Sequence, residues 1–485
     1  MDTVVVGGGL AGLVTAWELT RAGRRVVLVE STDHLGGPLR SHQVAGLTLN
    51  SGAESFATAT PIVFDLLADL GLSDRVVLPR SGRSWIVNVR GAFPSPAMSY
   101  LGIPADPTAP DVVAIIGQEA AQHAARESSL PSMVGYQPGV SLGAYVATRM
   151  GRAVRDLLVE PVVGGVHSTH PDLLELDSIA PQLPVLVERH GSLQAAVRAI
   201  RSRNDSGRQS AGAAVAGLAP TLSILVDTLA ERIRTAGGEI LLGIPAERVL
   251  PQYTEENPTV PQGWLVRTAA ADLTAADVVV ATNPHVTRSL LQDVRALAES
   301  IPTIPTSVVA LATLVVDDER LDGAPRDNGV LLAGHTPGII AKALTHVSAK
   351  WDHVDPGNHR HVLRLSYGRS GKEVPTRVEL PDLALNDARR ILGIHLERDS
   401  IVGFDQVRWS QTMTQARPGH QNALHEVAGR LASYPGLALT GAWMAGTGIA
   451  AVTSHARRTA AHVVGQRATH PITAESLHRL TEEPA

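Results

Sequence analysis

No cysteine occurs among the 485 residues, which excludes structural disulfides, thiolate catalysis, Cys-ligated metals and a cysteinyl link to a prosthetic group. Lysine is nearly absent as well: Lys342, Lys350 and Lys372 are the three in the chain, and arginine makes up the rest of the 42 basic residues. There is no long basic run and the formal net charge is -5, so a small molecule is expected as partner and nucleic acid is not. No uninterrupted apolar run approaches the ~18 residues of a membrane span, and membrane contact is expected to be peripheral at most. Asp2–Val6 already reads as a strand, which leaves no room for a signal peptide; a cytoplasmic protein is the expectation. What the chain does have is length and apolar content. With 44% hydrophobic residues over 485 positions it can bury more than one core and suits two or three domains.

Residues 2–30 carry a βαβ pattern. Apolar spacing predicts helices over 61–76, 111–126 and 141–159, the last opened by Ser141 as N-cap, with short strands and Pro turns over 82–104. Arg201–Gly212 is polar and Gly/Ser-rich and reads as an exposed loop. A second α/β stretch follows: a helix over 221–236, a strand at Glu239–Leu242, a hairpin over 248–270 and a strand at Asp277–Ala281. Residues 305–317 and 360–368 are apolar and β-branched, as strands of a second sheet. Leu437–Thr440 is one more strand, followed by a Gly-rich turn, a helix over 451–465 and a polar tail from Arg467.

Val4-Val5-Val6 runs into Gly7-Gly8-Gly9-Leu10-Ala11-Gly12, a G-x-G-x-x-G between an apolar strand and an amphipathic helix. Gly7 serves the tight turn, Gly9 lets a pyrophosphate approach the backbone, and Gly12 lets the helix pack on the strand. The first-turn N–H groups, Leu10 and Ala11 included, then face phosphate. Glu30 ends the second strand, about 20 residues beyond the motif, where a carboxylate accepts the ribose hydroxyls and repels a 2′-phosphate. Dinucleotide binding follows.

The segment Leu35-Gly36-Gly37-Pro38-Leu39-Arg40-Ser41 resembles the second motif of FAD-dependent oxidases of the amine-oxidase and phytoene-desaturase type. In that class the Gly pair runs beside the pyrophosphate and the arginine adds charge, which selects FAD over NAD. Thr440-Gly441-Ala442-Trp443-Met444-Ala445-Gly446-Thr447-Gly448-Ile449 is similar to the loop that closes on the isoalloxazine ring, where a helix N-terminus brings roughly half a positive charge to the flavin edge. The expected fold is α/β. An FAD-binding, two-dinucleotide-binding-type (Rossmann-like) domain is written in three pieces, 1–85, 188–286 and 434–467. Between them lie a helical, substrate-side insertion (86–187) and a mixed-sheet substrate domain (287–433), with a flexible tail at 468–485.

The resemblance narrows to the porphyrinogen oxidases of haem synthesis and covers most of the chain. Gly52-Ala53-Glu54-Ser55-Phe56 resembles their segment beside the flavin, Leu101–Asp106 their "GIPAD" turn, and Leu158–His167 their "LVEPLLGGVYAG" segment. Gly191–Leu193, Lys342–Trp351, Leu363–Arg369 and Gly419-His420 match in order. Three positions depart. His167 replaces the family's Tyr, Pro220-Thr221 stands where a Gly pair is expected, and Phe93 stands for a His. Pro220-Thr221 bears on how the backbone passes FAD, the other two on substrate shape.

The resemblance implies non-covalent FAD, three two-electron oxidations of a porphyrinogen with dioxygen as acceptor, and peroxide as by-product. It also implies transient contact with other enzymes of the pathway. The flavin does the chemistry, so no strong base is required; orientation over the ring does most of the work. His167 and Gly165 are the candidate pocket residues. The substrate's propionates call for cations, and Lys342, Arg364 and Arg369 are the candidates. No metal is expected: His353, His359 and His361 lack a carboxylate cluster at ligand spacing and read as a solvated loop, and Glu160 and Pro161 read as helix-end structure. Coproporphyrinogen III is expected over protoporphyrinogen IX. No membrane segment occurs, the arginine-for-lysine skew suits a GC-rich Gram-positive source, and Lys342–Arg369 is cation-rich enough for more than two propionates. The competing readings are an amine or carotenoid oxidase of the same fold and a carrier that kept the fold without redox chemistry. An amine oxidase usually carries an aromatic pair by the flavin, whereas here aromatic residues total 3% and Trp443 alone falls near the ring loop; the glycine motifs at both ends are intact, against the carrier.

Overall fold

The structure is a computed structural model that describes residues 1–203, 214–357 and 359–465. Its first layer is a five-stranded, all-parallel sheet in the order Glu239–Leu241, Val26–Val29, Thr3–Val6, Asp277–Val280 and Leu437–Leu439. Three of its strands are four-residue Val-rich runs with every residue buried, as a parallel sheet covered on both faces demands. Helices Leu10–Arg21, Ser223–Thr235 and Ile449–Gly465 pack on one face. The strands Ala246–Gln252, Gly263–Thr268 and Asp272–Ala275, with Trp264 at the centre, cover the other.

The second layer is a seven-stranded mixed sheet: Ile401–Thr414, Thr306–Asp317, Arg360–Tyr367, Ala343–His346, Gly329–Leu332, Ser84–Asn88 and Gly91–Pro94. Its one parallel pairing joins Gly329–Leu332 to Ser84–Asn88. Helix Leu380–Leu392 backs it through Leu380, Ala384, Leu385, Ala388, Ile391 and Leu392, an i, i+4 stripe. The third unit is helical, with its own core of residues such as Ile115, Leu142, Tyr145, Leu158, Leu183 and Val197.

Several expected elements are shorter than their apolar pattern, and glycine is the reason. The helix expected over 61–76 is Ile62–Leu70, stopped by Gly71 at φ +76°. That over 111–126 is two helices, Pro110–Ile116 and Gln118–Ala125, broken at Gly117. Ser141 does cap Leu142–Met150, accepting from the Ala144 N–H at 3.1 Å, but Gly151 ends that helix and Arg155–Val159 forms a π-helical turn. The expected boundary at 187/188 falls inside helix Gln182–His190, whose Leu183, Leu186 and Val187 join the helical core together with Leu193–Arg203. Arg201–Arg203 are thus the last turn of a helix rather than loop. The rest of the expected 201–212 loop and the tail beyond 465 lie outside the described residues. Among the described residues no helix is long and apolar enough to cross a membrane.

The helical unit is pinned by one fully buried ion pair. Arg149 contacts Glu127 with both side chains inaccessible, and Arg149 also donates to the carbonyls of Pro131, Ser132 and Val134. Glu127 in turn accepts from the Leu193 N–H at 2.7 Å and the Gln194 N–H at 3.2 Å, capping helix Leu193–Arg203. Every donor is answered, so removing one partner strands the other. Arg149→Met is expected to lower the unfolding free energy by about 3–5 kcal/mol, read from urea denaturation; a loss under about 1 kcal/mol contradicts this account.

Candidate functional site

The N-terminal motif separates glycines required by packing from one that is not. A Cβ on Gly12 would lie 1.9 Å from the Gly7 carbonyl oxygen, and one on Gly7 2.7 Å from that of Ala281. A Cβ on Gly9 meets no protein atom within 4 Å. Glycine at position 9 is therefore not demanded by the protein's own packing, and it fits a phosphate lying against the backbone at the start of helix Leu10–Arg21, which has no side-chain cap. One oxygen of the Glu30 carboxylate accepts the Thr32 N–H at 2.9 Å and the Ser31 and Thr32 hydroxyls at 3.2 and 2.9 Å, while the other accepts the Gly8 N–H at 2.7 Å and keeps a lone pair that suits a ribose hydroxyl. Gly36 donates to the Gly8 carbonyl at 2.8 Å and bridges Gly9, so the second glycine motif, with Gly37 next to it, lies directly along the first. Arg40 contacts His34 Nε2 at 2.7 Å.

The segment after this motif crosses between the two sheets. Ala53 N–H bonds the Pro38 carbonyl at 3.0 Å, and a Cβ on Gly52 would lie 2.1 Å from the same oxygen. Glu54 is buried and meets Lys350 at 2.9 Å, Arg364 at 2.5 Å and the Trp351 indole N–H at 2.8 Å. Burial opposes its charge, but Arg364 and Lys350 outweigh that and hold the carboxyl down at about 2. Arg364 also donates to the carbonyls of Asn50 and Gly52 at 3.3 Å. Its charge is thus committed to the Asn50–Glu54 segment, and Glu54 is a bridge between sheets. Ser55, half-buried, follows on the same segment.

Two strands along the same carboxyl edge of the sheet, Gly441, Gly446 and Gly448 all take positive φ and lead into helix Ile449–Gly465. Thr440 contacts His455 Nδ1 at 2.9 Å. Trp443 faces away into the core and donates to the Thr282 carbonyl at 3.1 Å. Thr447 in the same loop contacts His167 Nδ1 at 3.3 Å. That contact brings helix Glu160–His167 to the loop.

On this helix Glu160 meets Arg369 at 2.6 Å and accepts the Gly334 N–H at 2.7 Å. A Cβ on Gly164 would lie 2.9 Å from Arg369, and one on Gly165 2.7 Å from Leu331. Gly165 is thereby a packing position against strand Gly329–Leu332, and Arg369, like Arg364, is neutralised by a carboxylate. Lys342 is different: it is 3% exposed, and its ammonium donates to the Ser168 hydroxyl. Burial, then the charge of Arg369, push it down to about 7. Burial and the Lys342 charge likewise push His167 down to about 4, so the imidazole is neutral at physiological pH. Ser168, the amine's partner, is absent from the sequence-based set; being a lone serine after a helix, it gives no signal before the fold is known. His359 and His361 both contact Asp322, at 2.8 and 3.0 Å; His361 is not in the expected solvated loop but in strand Arg360–Tyr367, where it also meets His346 at 3.1 Å.

A nucleotide cradle at one end and a neutral histidine with an uncompensated amine at the other suit a flavin with an organic donor beside it. The family model for flavin-containing amine oxidoreductases matches residues 10–464. The chain belongs to that family. Among its relatives are the coproporphyrinogen III oxidases of Mycobacterium leprae, 30% identical over 94% of this chain and 96% of the relative, and of Bacillus subtilis, 26% identical over 92% and 94%. A solved structure of a candidate protoporphyrinogen oxidase from Exiguobacterium sp. 255-15 shares the fold, with a TM-score of 0.81 at 24% identity over 96% of this chain and 98% of that one.

Gly9→Val is expected to fold with an unchanged melting temperature for the flavin-free protein yet purify colourless, since its side chain meets only the cofactor's path. A fully yellow variant, or one that does not fold, contradicts this. Glu30→Ala is expected to weaken FAD binding by about 1.5–3 kcal/mol, measured by flavin fluorescence titration, with turnover at saturating FAD unchanged.

Proposed function

We propose that this protein oxidises coproporphyrinogen III to coproporphyrin III, with FAD held non-covalently and dioxygen as acceptor. The observation that carries it is Lys342: of the three cations expected to meet substrate carboxylates, it alone is bonded to a hydroxyl, whereas Arg364 and Arg369 are bound to Glu54 and Glu160. A buried ammonium without a carboxylate has a charge left to pair with a propionate, and a low-dielectric site strengthens that pair. Full-length relatives named coproporphyrinogen III oxidase support the same substrate.

FAD held along the Gly7–Gly12 and Gly36-Gly37 turns would supply the hydride acceptor for a methylene bridge of the macrocycle, with dioxygen as final acceptor; loss of six electrons and six protons over three rounds would form three molecules of hydrogen peroxide. The protein's part is to bind and orient. Lys342 anchors one propionate and thereby sets which bridge carbon lies at the loop around Thr447. His167, neutral and held by Thr447, offers a ring nitrogen to a pyrrole without adding a charge that would oppose the cation developing on the substrate. Gly164 and Gly165 let the helix close on the second sheet, which excludes water from that face.

Two measurements test this. With detergent held fixed, kcat/KM is expected to be higher for coproporphyrinogen III than for protoporphyrinogen IX, because two carboxylates are lost in the latter; equality or the reverse order sinks the substrate assignment and leaves the flavin oxidase standing. Lys342 is charged below about 7 and loses its charge as pH rises through that value. The kcat/KM profile of the tetra-acid should therefore fall on the alkaline side of pH 7, and Lys342→Arg should move that limb upward. A limb unchanged in the arginine variant assigns it to another group.

A further inference from the structure

Lys342 opens strand Ala343–His346, and the loop before it, from Gly334 to Ala341, spans the edge of the cluster just described. One end of this loop is held at the site itself: Gly334 donates to Glu160 at 2.7 Å and accepts from Lys372 at 3.2 Å. The other end is held from behind the sheet. Asp387, on helix Leu380–Leu392 and 1% exposed, accepts the Ala341 N–H at 2.8 Å and the Ile340 N–H at 3.2 Å. These are the two residues before Lys342. Lys342 itself continues the ladder, donating its N–H to Ser366 at 2.8 Å and accepting from Leu332 at 3.1 Å.

A carboxylate taken out of water is expensive unless hydrogen bonds replace its hydration. Here the replacements come from main-chain amides of one short segment, with Tyr367 and Arg390 as further neighbours. Core packing of this helix against the sheet needs no acid at position 387, because Leu380, Ala384, Leu385, Ala388 and Ile391 already supply the apolar stripe. The acid does what an apolar residue cannot: it fixes where the chain enters the strand that presents the amine. Ile339 and Ala341 pack against the core of the second sheet, whereas Ile340 between them is 56% exposed, and Asp387 binds the N–H of Ile340 as well as that of Ala341.

We propose that Asp387 is a positioning residue for substrate binding, fixing the Ile340-Ala341 segment so that Lys342 meets the substrate carboxylate. This rests on the reading of Lys342 given above. It acts through Lys342 and touches neither flavin nor substrate.

The scarcity of lysine supplies a readout that needs no substrate. Protein labelled with 13Cε-lysine gives three signals, and the one missing from Lys342→Ala is that of Lys342. In flavin-loaded Asp387→Asn, that signal is expected to shift while those of Lys350 and Lys372 stay in place. KM for coproporphyrinogen III should rise roughly five- to tenfold, the equivalent of about one lost hydrogen bond, with kcat and FAD affinity within about twofold of wild type. In a Lys342→Ala background the same substitution should add nothing to KM. Asp387→Glu keeps the charge but displaces the oxygens by one methylene; it should shift the same signal, and it stands in if the asparagine variant does not fold. An unmoved Lys342 signal in the folded variant, or a KM effect that persists in full without Lys342, overturns the proposal. A wild-type protein that oxidises no porphyrinogen overturns the functional reading instead, and the lysine signals still decide whether Asp387 positions the amine.

Discussion

The segment from Asn50 to Glu54 joins the two sheets, and the site exists because that joint is rigid. From the nucleotide side it is held by the Pro38 carbonyl and by the Leu222 N–H, which donates to the Asn50 side chain at 2.9 Å. From the substrate side Trp409 donates to the Ser51 carbonyl at 2.8 Å, while Arg364, Lys350 and Trp351 converge on Glu54. A carboxylate buried this deeply is tolerable only with cations in contact, and it has two. The arrangement ties a chain that leaves the parallel sheet after Val29 and returns to it only at Glu239. Without it, the glycine motif near residue 36 and the strand bearing Lys342 would have no fixed relation.

Charge is used sparingly on the substrate side of this joint. Arg364 and Arg369 look equivalent to Lys342 in the sequence, yet each is matched by a buried carboxylate and serves to lock one element to another. An arginine suits that task, since its planar fork holds several acceptors at once; Arg364 reaches two carbonyls and a carboxylate together. Lysine is a compact charge whose protonation responds to burial, and Lys342 is where the structure places one against a hydroxyl. The near-absence of lysine from the chain makes that choice of residue a local requirement rather than a habit of composition.

What the sequence made legible was what local pattern specifies. The strand, glycine turn and helix from Thr3 to Arg21 follow from adjacent residues, as does the return to the sheet at Leu437. The partners of the arginines did not show, because Glu160 lies 209 residues before Arg369 and nothing in the local spacing links them. Strand Ile401–Thr414 and helix Leu380–Leu392 were missed for a related reason. The first mixes polar residues along an edge of the sheet, and the second carries charges on its outer face that dilute its apolar stripe. Gly165 was placed in the pocket by resemblance; in three dimensions its smallness serves the contact with Leu331.

The approach of His167 to Thr447 depends on an irregularity that no periodic reading detects. A regular α-helix from Arg152 to His167 would carry one apolar stripe along its whole length, but the turn at Arg155–Val159 is π-helical, and the extra residue rotates everything beyond it. Gly102 lies against this turn so closely that a Cβ there would sit 2.2 Å from the Leu158 carbonyl, so the "GIPAD" loop is packed on the irregularity itself. Beyond it, Glu160 and Gly164 share the face that receives Arg369, and Val163 and His167 share the adjacent one, each pair spaced i, i+4. The shift thus lets one short helix meet the seven-stranded sheet with its glycines while its last residue reaches the glycine-rich loop at Thr447. Had the helix stayed in register, the carboxylate that neutralises Arg369 and the imidazole that contacts Thr447 would point elsewhere, and Lys342 would face a different wall.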